Sequence, residues 1–111
     1  TFDYKYSGSN NIDEVAWYYE NSGAKNEEGT TQNVGLKKAN QLGLYDCSGN
    51  VWEWCYDIPD EKNIEDGIVC RKLKGGAWIS NLELCQNFFC TSENAIFEDI
   101  DIGFRIVRTI Y

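Results

Sequence analysis

The hydrophobic pattern of the chain consists of short apolar segments separated by long polar connections. Residues 51–54 alternate between apolar and polar positions as a half-buried strand does, and residues 102–110 also have a strand pattern. Residues 72–78 are typical of a strand that meets a glycine bend, because paired glycines permit positive φ angles or close approach by another segment. Short strands, long loops and few helical segments predict an irregular fold that mixes α and β structure.

Helical signals are confined to the N-terminal part of the chain. Asp13 and Glu14, followed by apolar residues, predict the start of a short helix. The aromatic run 17–19 fits either a strand or a buried corner. The acidic segment 57–68 contains the only proline and predicts a solvated loop. Residues 79–101 mix polar and aromatic side chains with little periodicity, so the sequence predicts no regular helix there.

Composition and charge narrow the classes of partner. The 111 residues are enough for one domain, and 42% hydrophobic with 25% charged residues is ordinary for a globular protein. The net charge of −8 opposes binding to a nucleic-acid backbone, whose affinity comes from Lys and Arg, and to an anionic membrane surface. No run of about 18 apolar residues is present to span a bilayer. We therefore expect neither nucleic-acid binding nor membrane insertion.

The residue types present exclude several catalytic chemistries. The chain has no histidine, which removes serine–histidine triads, histidine zinc sites and facial-triad iron sites. It has five cysteines but no Cys-x-x-Cys pair, so a zinc ribbon is disfavoured. An odd count leaves at least one free thiol if the others pair. Cys47 and Cys55 are expected to be small buried hydrophobic residues.

Three motifs occur in order along the chain. The first reads Asn40-x-x-Gly43-Leu44-Tyr45-Asp46-x-x-Gly49-Asn50-Val51-Trp52-Glu53-Trp54, the second Gly75-Gly76-Ala77-Trp78, and the third Ile102-Gly103-Phe104-Arg105. Together they resemble the motifs of formylglycine-generating-enzyme (sulfatase-modifying-factor) domains, including the Gly-Gly-Ser-Trp segment and the closing Gly-Phe-Arg strand. The resemblance runs over nearly all of residues 1–111.

This resemblance implies an α+β fold of the C-type-lectin-like, formylglycine-generating-enzyme type, with a small antiparallel sheet and much irregular structure. Residues 1–111 would form a single such domain that corresponds to the C-terminal part of a full family domain. The N-terminal part of that domain, or another chain, would then be a partner. Fold alone does not assign a function.

The resemblance also bears on catalysis by cysteine. Family enzymes use two cysteines five residues apart, which bind copper and oxidise a substrate cysteine to formylglycine. The corresponding positions are Ser80 and Cys85, and a hydroxyl does not replace a soft copper ligand. We therefore expect no enzymatic activity. The catalytic alternative is a shifted pair formed by Cys85 and Cys90. The non-catalytic interpretation of these two residues is that they are buried thiols or form a local disulfide.

The first motif resembles a segment that wraps calcium in family members. Calcium takes several oxygen ligands, and the matching positions offer two carboxylates and two backbone carbonyls: Asp46, Glu53, Gly49 and Val51. The alternative is that Asp46 caps the turn and Glu53 pairs with a base such as Arg105. No cofactor is required by either interpretation, and the two are evenly matched.

The segment between the second and third motifs departs from the family pattern. Some relatives are variable proteins of diversity-generating retroelements, which diversify this region to present a changeable ligand surface. Aromatic anchors among adaptable polar neighbours are typical of binding surfaces. The candidate ligand-binding positions in residues 79–101 are Ser80, Asn81, Glu83, Gln86, Phe88, Phe89, Thr91, Glu93, Asn94 and Phe97.

The sequence therefore predicts a non-catalytic, receptor-type protein with a variable binding face in residues 79–101. Its ligand would be a protein or a surface glycan, and its location the cell surface or the exterior of the cell. The alternatives are a copper-dependent oxidase of protein cysteine, an ordinary surface loop in a diverged relative, and a structural module completed by another chain.

Overall fold

The computed structural model describes residues 3–56 and 69–108 of the chain. It contains one α-helix, two 3₁₀ helices and four strands in the described residues. In chain order these are α1 Ile12–Val15, the 3₁₀ helix Ala24–Asn26, β1 Trp52–Trp54, β2 Cys70–Lys74, the 3₁₀ helix Leu82–Cys85, β3 Cys90–Asn94 and β4 Ile102–Gly103. The predicted loop 57–68 and the last residues of the predicted C-terminal strand lie outside the described residues.

The four strands form one mixed sheet in the order β3-β2-β1-β4. β2 pairs antiparallel with both β1 and β3, whereas β4 runs parallel to β1. The pairing of β2 with β3 is the longest and runs from Cys70 opposite Asn94 to Lys74 opposite Cys90. β3 and β4 are therefore the two edges of the sheet. β3 lies within the candidate binding segment 79–101, and β4 begins the third motif.

The short helix and the two central strands confirm the pattern predicted for them. Asn11 caps α1, since its side chain accepts a hydrogen bond from the backbone N–H of Asp13. β2 ends at Gly75 and Gly76, whose φ angles of 98° and 69° lie in the left-handed region. The chain there turns sharply away from the sheet, as glycine permits.

Other expectations need correction. Residues 17–19 form no strand; Tyr18 is buried, as the corner alternative requires. The closing strand pairs over only two residues, because the chain after Gly103 has no neighbouring strand in the described sheet. Residues 79–101 have more regular structure than their pattern suggests, with a 3₁₀ helix and the five-residue strand β3. β3 is polar and exposed, so its strand conformation comes from pairing with β2.

Two clusters of buried side chains hold these elements together. One lies under the N-terminal segment and contains Tyr6, Ile12, Val15, Ala16, Tyr18 and Cys85. The other lies on one face of the sheet and contains Trp52, Leu73 and Ala77, with Trp54, Leu84, Phe89 and Ile102 packed against it. Aromatic side chains thus supply much of a core that is poor in regular structure. No helix in the described part of the chain is long and apolar enough to cross a membrane.

Candidate functional site

Ser80 is part of the framework, which corrects its prediction as a binding residue. The residue is only 5% exposed. Its hydroxyl accepts a hydrogen bond from the backbone N–H of Ala77 at 2.9 Å, and its carbonyl accepts one from Tyr19 N–H at 2.9 Å. A buried backbone N–H needs such an acceptor. Ser80 therefore fixes the turn after the paired glycines and presents nothing to a ligand.

All five cysteines are free thiols in very different surroundings. Cys85 is fully buried, and burial raises the pKa of its thiol to about 12. Cys90 is exposed on the edge strand β3. Because the thiolate is the nucleophile and the metal ligand, the protonated Cys85 thiol is poorly suited to either role at neutral pH. Cys47 and Cys55 are half-buried, so the expectation that they are core residues is only partly met.

Burial also raises the pKa of the Cys47 thiol, while the nearby Arg105 guanidinium acts in the opposite direction. Cys47 and Cys85 both line a small cavity of about 210 Å³, together with Lys74 and Gln86. The Gly49 backbone lowers the pKa of the Cys85 thiol, but by less than burial raises it. The cavity therefore holds two protonated thiols.

Three of the four predicted calcium residues, Asp46, Val51 and Glu53, line a larger cavity of about 430 Å³ together with Arg105, and Gly49 is not part of its lining. Glu53 accepts two hydrogen bonds from the Arg105 guanidinium, at 2.8 Å from Nε and 3.1 Å from Nη2. The same Nη2 donates to the Tyr45 carbonyl at 2.7 Å. This fork raises the pKa of Arg105, chiefly through its hydrogen bond with Glu53. The alternative pairing of Glu53 with Arg105 is confirmed.

Asp46 bridges two loops. It has a φ of 58°, it is buried, and its Oδ2 accepts a hydrogen bond from Gly35 N–H at 2.9 Å. Its Oδ1 has no partner within residues 3–56 and 69–108, which is what a cation ligand would look like. However, calcium needs six to eight oxygens, and Arg105 already occupies Glu53. Among the described residues no three acidic or cysteine side chains come together as a metal site. Calcium stays a prediction.

Exposure divides the remaining binding candidates into two groups. Gln86, Phe89 and Asn94 are half-buried, and Phe89 packs against Trp52 with ring centres 6.2 Å apart. The exposed group projects from the 3₁₀ helix, the edge strand and the turns beside them: Asn81, Glu83, Phe88, Thr91, Glu93 and Phe97. Phe88 is the most exposed aromatic of this group, at 80%.

The candidates on β3 do not share one face of the sheet. Thr91 pairs with Leu73 and therefore lies on the face that carries the buried cluster, as does Glu93. Asn94 lies on the opposite face, since side chains alternate along a strand. The structure thus brings Thr91 and Glu93 to one side and sets Asn94 apart. Sequence alone could not show this, because the polar pattern of β3 does not reveal its register.

Arg71 is a residue that sequence analysis missed. It lies on β2, its guanidinium is 5.8 Å from the ring centre of Tyr56, and its Nη1 is buried without a hydrogen-bond partner in the described part of the chain. The sequence could not indicate this, because an arginine within a strand pattern is normally expected to be exposed.

The small mixed sheet, the few helices and the long ordered loops define a C-type-lectin-like fold of the formylglycine-generating-enzyme type. The chain belongs to the family described as the sulfatase-modifying factor enzyme 1-like domain, which matches residues 2–110. The resemblance read from the three motifs is confirmed.

Three similar proteins illustrate how the family varies. The chain is 38% identical to chaperone protein LppX of Paenibacillus barcinonensis, covering 96% of this chain and 42% of LppX. It is 31% identical to the formylglycine-generating enzyme of Mycobacterium tuberculosis (strain ATCC 25618 / H37Rv), and the match covers 80% of this chain and 36% of that enzyme. The structure of Treponema denticola variable protein 1 superposes with a TM-score of 0.77 at 32% identity, and the match covers 92% of this chain and 40% of that protein. The chain thus spans about two fifths of the length of the first of these relatives.

Proposed function

We propose that this chain is a non-catalytic ligand-binding protein whose binding face is built from exposed residues within 79–101. The observation that carries the proposal is the division of this segment into a buried framework and an exposed set. Ser80, Cys85 and Phe89 anchor the segment, whereas Phe88 and Thr91 project into solvent. Substitutions at exposed positions change stability little, so such a surface can vary while the scaffold holds its shape.

The chemistry of the exposed set suits recognition of a protein or a surface glycan. Phe88 and Phe97 are exposed aromatic side chains, and Asn81, Thr91 and Glu93 are exposed polar side chains of the same segment. Binding surfaces combine such anchors with adaptable hydrogen-bonding side chains. The similarity to Treponema denticola variable protein 1 supports a changeable surface of this kind. A ligand outside the cell would require display at the cell surface or secretion.

The sequence of the same locus from several isolates tests the proposal. We expect substitutions to concentrate at Asn81, Glu83, Phe88, Thr91 and Glu93. The buried positions Ser80, Cys85 and Phe89 within the same segment should stay fixed, and this is the internal control. Substitutions spread evenly over residues 79–101, or absent from the exposed positions, would contradict a diversified binding face.

A combined variant tests the same division in vitro. The substitution of Asn81, Phe88 and Thr91 by alanine together should lower the free energy of unfolding by less than about 1.5 kcal/mol, at about 0.5 kcal/mol each. Ser80→Ala alone should lower it by about 1–3 kcal/mol, because the buried N–H of Ala77 loses its acceptor. Urea denaturation followed by tryptophan fluorescence measures both. A triple variant that fails to fold would show that the exposed set is structural.

Absence of catalysis is the second part of the proposal. It is supported by Ser80 at the first cysteine position and by the high pKa of Cys85. The test incubates the chain with copper, dioxygen and a cysteine-containing peptide. We expect no oxygen consumption above that of the Cys85→Ala variant. Consumption that disappears in Cys85→Ala would establish the oxidase alternative.

The relation to the full family domain is the third part of the proposal. We propose that residues 1–111 correspond to its C-terminal part, and that the remaining part, on the same chain or another, completes the fold. The coverage of relatives supports a partial domain, since the match to this chain covers only 42% of LppX and 40% of Treponema denticola variable protein 1.

A further inference from the structure

The strand β3 is a sheet edge that lacks the usual protection against pairing with another chain. Its outer side has no neighbour in the described sheet, and its first four residues are exposed. Natural edge strands are commonly blocked by lysine, by proline or by a β-bulge. β3 contains neither residue, and its five successive pairs with β2 leave no bulge between Cys90 and Asn94. The strand therefore presents a regular edge that can pair with a further strand.

The hydrogen bonds around β2 show which backbone groups of β3 point outward. Cys55 N–H donates to the Lys72 carbonyl at 2.8 Å, so the backbone of Lys72 faces β1. In an antiparallel sheet the N–H and C=O of one residue point to the same side, and successive residues alternate. Leu73 therefore faces β3, and its partner Thr91 faces β2. Ser92, one position further along β3, directs its N–H and C=O away from the sheet.

The outward backbone groups of Ser92 are available to a partner. Within residues 3–56 and 69–108 they make no hydrogen bond outside the ladder. Asn94 differs, because its carbonyl accepts from Phe97 N–H at 2.8 Å and its N–H donates to the Glu93 side chain at 3.3 Å. The free part of the edge is therefore centred on Ser92 and extends toward Cys90. An extended polypeptide carries alternating N–H and C=O groups that match such an edge, and a glycan has no such backbone.

Two lysines set the charge preference of the edge. Lys72 pairs with Ser92 and Lys74 with Cys90, so their side chains share one face of the sheet. Neither lysine takes part in an ion pair in the described part of the chain. Only the short side chains of Ser92 and Cys90 separate the lysines from a strand added at the edge. The opposite face carries Glu93, which repels a carboxylate there. The edge thus favours a segment whose acidic side chains occupy alternate positions.

We propose that the free edge of β3 binds an extended, acidic segment of a partner protein as an added strand of the sheet. This inference rests on the proposed ligand-binding face in residues 79–101, and it specifies the ligand as a polypeptide held by backbone hydrogen bonds. A second copy of this chain fits less well, because pairing of two β3 edges brings together two chains of net charge −8. A glycan would be bound by side chains of the face and would leave the outward groups of Ser92 unused.

The first test uses the 111-residue chain and a capped heptapeptide in which glutamate and valine alternate. Amide hydrogen exchange followed by NMR reports on each backbone group. In the free chain we expect slow exchange at Thr91 and Glu93, which bond to β2, and fast exchange at Ser92. Peptide at high occupancy should slow exchange at Ser92 by about tenfold. A peptide with lysine in place of glutamate should leave it fast.

Two substitutions at one position separate the backbone from the side chain. Ser92→Pro removes an N–H that faces outward, so the pairing with β2 is kept and the affinity for the acidic peptide should fall by about tenfold. Ser92→Ala is the matched control and should change the affinity by less than about twofold. Lys72→Gln should weaken binding and reduce its dependence on salt. Isothermal titration calorimetry gives the affinities, and slow exchange at Thr91 confirms that each variant keeps its fold.

The outcomes separate this inference from the proposed function. Protection of Ser92 by the acidic peptide supports strand addition, even if Ser92→Pro does not fold. No binding of that peptide, or binding that leaves exchange at Ser92 fast, overturns strand addition. A ligand whose binding needs the Phe88 or Thr91 side chain but not the Ser92 backbone overturns it too, and supports the ligand-binding face. Dimers of the chain alone that protect Ser92 also overturn it, since the occupant would then be a second copy.

Discussion

Two glycines in the first motif allow one steric effect to be isolated. Gly43 and Gly49 have nearly the same backbone conformation, with φ angles of 79° and 76°. A Cβ on Gly43 would meet no atom within 4 Å. A Cβ on Gly49 would overlap the Trp17 carbonyl oxygen and would lie 2.8 Å from Trp17 N and 3.0 Å from the Ala16 Cβ. Both substitutions to alanine therefore share the conformational cost, and only one carries the clash.

The magnitudes follow from these contacts. A left-handed alanine costs about 1–2 kcal/mol at either position. At Gly49 the clash is with backbone, which cannot swing aside, and this adds about 1–3 kcal/mol. Relief of the clash would also stretch two hydrogen bonds, Gly49 N–H to Gly75 carbonyl at 2.6 Å and Asn50 N–H to Trp17 carbonyl at 2.8 Å. We expect Gly49→Ala to lower the free energy of unfolding by about 3–5 kcal/mol and Gly43→Ala by about 1–2 kcal/mol.

Urea denaturation of both variants, followed by fluorescence of the four tryptophans, measures the difference. A Gly49→Ala chain whose spectrum in buffer already matches the unfolded chain counts as agreement, because a loss of this size approaches the whole stability of a small domain. Equal midpoints for the two variants would refute the reasoning, since they would show that the Trp17 backbone moves at no cost. Without a steric clash at Gly49, there would also be no steric reason for glycine at this position.

Three further predictions concern single side chains. Arg105→Lys should lower the free energy of unfolding by about 1–2 kcal/mol, because lysine cannot hold Glu53 with two bonds and also reach Tyr45; denaturation midpoints in low and high salt check it. The pKa of Cys85 is raised to about 12 in the fold, so the unfolded chain loses this proton first and stability should fall between pH 9 and 12 by about 1.4 kcal/mol per pH unit. Cys85→Ala should flatten that slope. Iodoacetamide should alkylate Cys90 readily at pH 8 and Cys85 only in denaturant, as mass spectrometry of the labelled chain would show.

Much of the fold could be predicted because the motifs carry both its turns and its central strands. Gly75 and Gly76 mark the end of β2, and the alternation of residues 52–54 marks β1. β3 could not be predicted from its own residues, since a polar edge strand is specified by its neighbour β2. The binding candidates were chosen by residue type, which does not distinguish the exposed Phe88 from the half-buried Phe89.

The ion pair of Glu53 with Arg105 shows a second limit of prediction from the sequence. Glu53 and Arg105 are 52 positions apart, and only the parallel pairing of β1 with β4 brings them together. Residue types alone therefore left the calcium and ion-pair interpretations level. Arg71 is a similar case, because its guanidinium lies 5.8 Å from the ring centre of Tyr56, a contact that its own residue type does not indicate.

The parallel pairing of β1 with β4 also has a consequence for the time at which the protein folds. Trp52 lies opposite Ile102, and Asn87 donates hydrogen bonds to the carbonyls of Tyr4 and Lys5 at the other end of the chain. Contacts so distant in sequence close large loops, and such topologies fold slowly. On the ribosome, β1 cannot pair with β4 until Ile102 has emerged. The apolar side of the sheet is exposed in that interval, when chaperones have access to it.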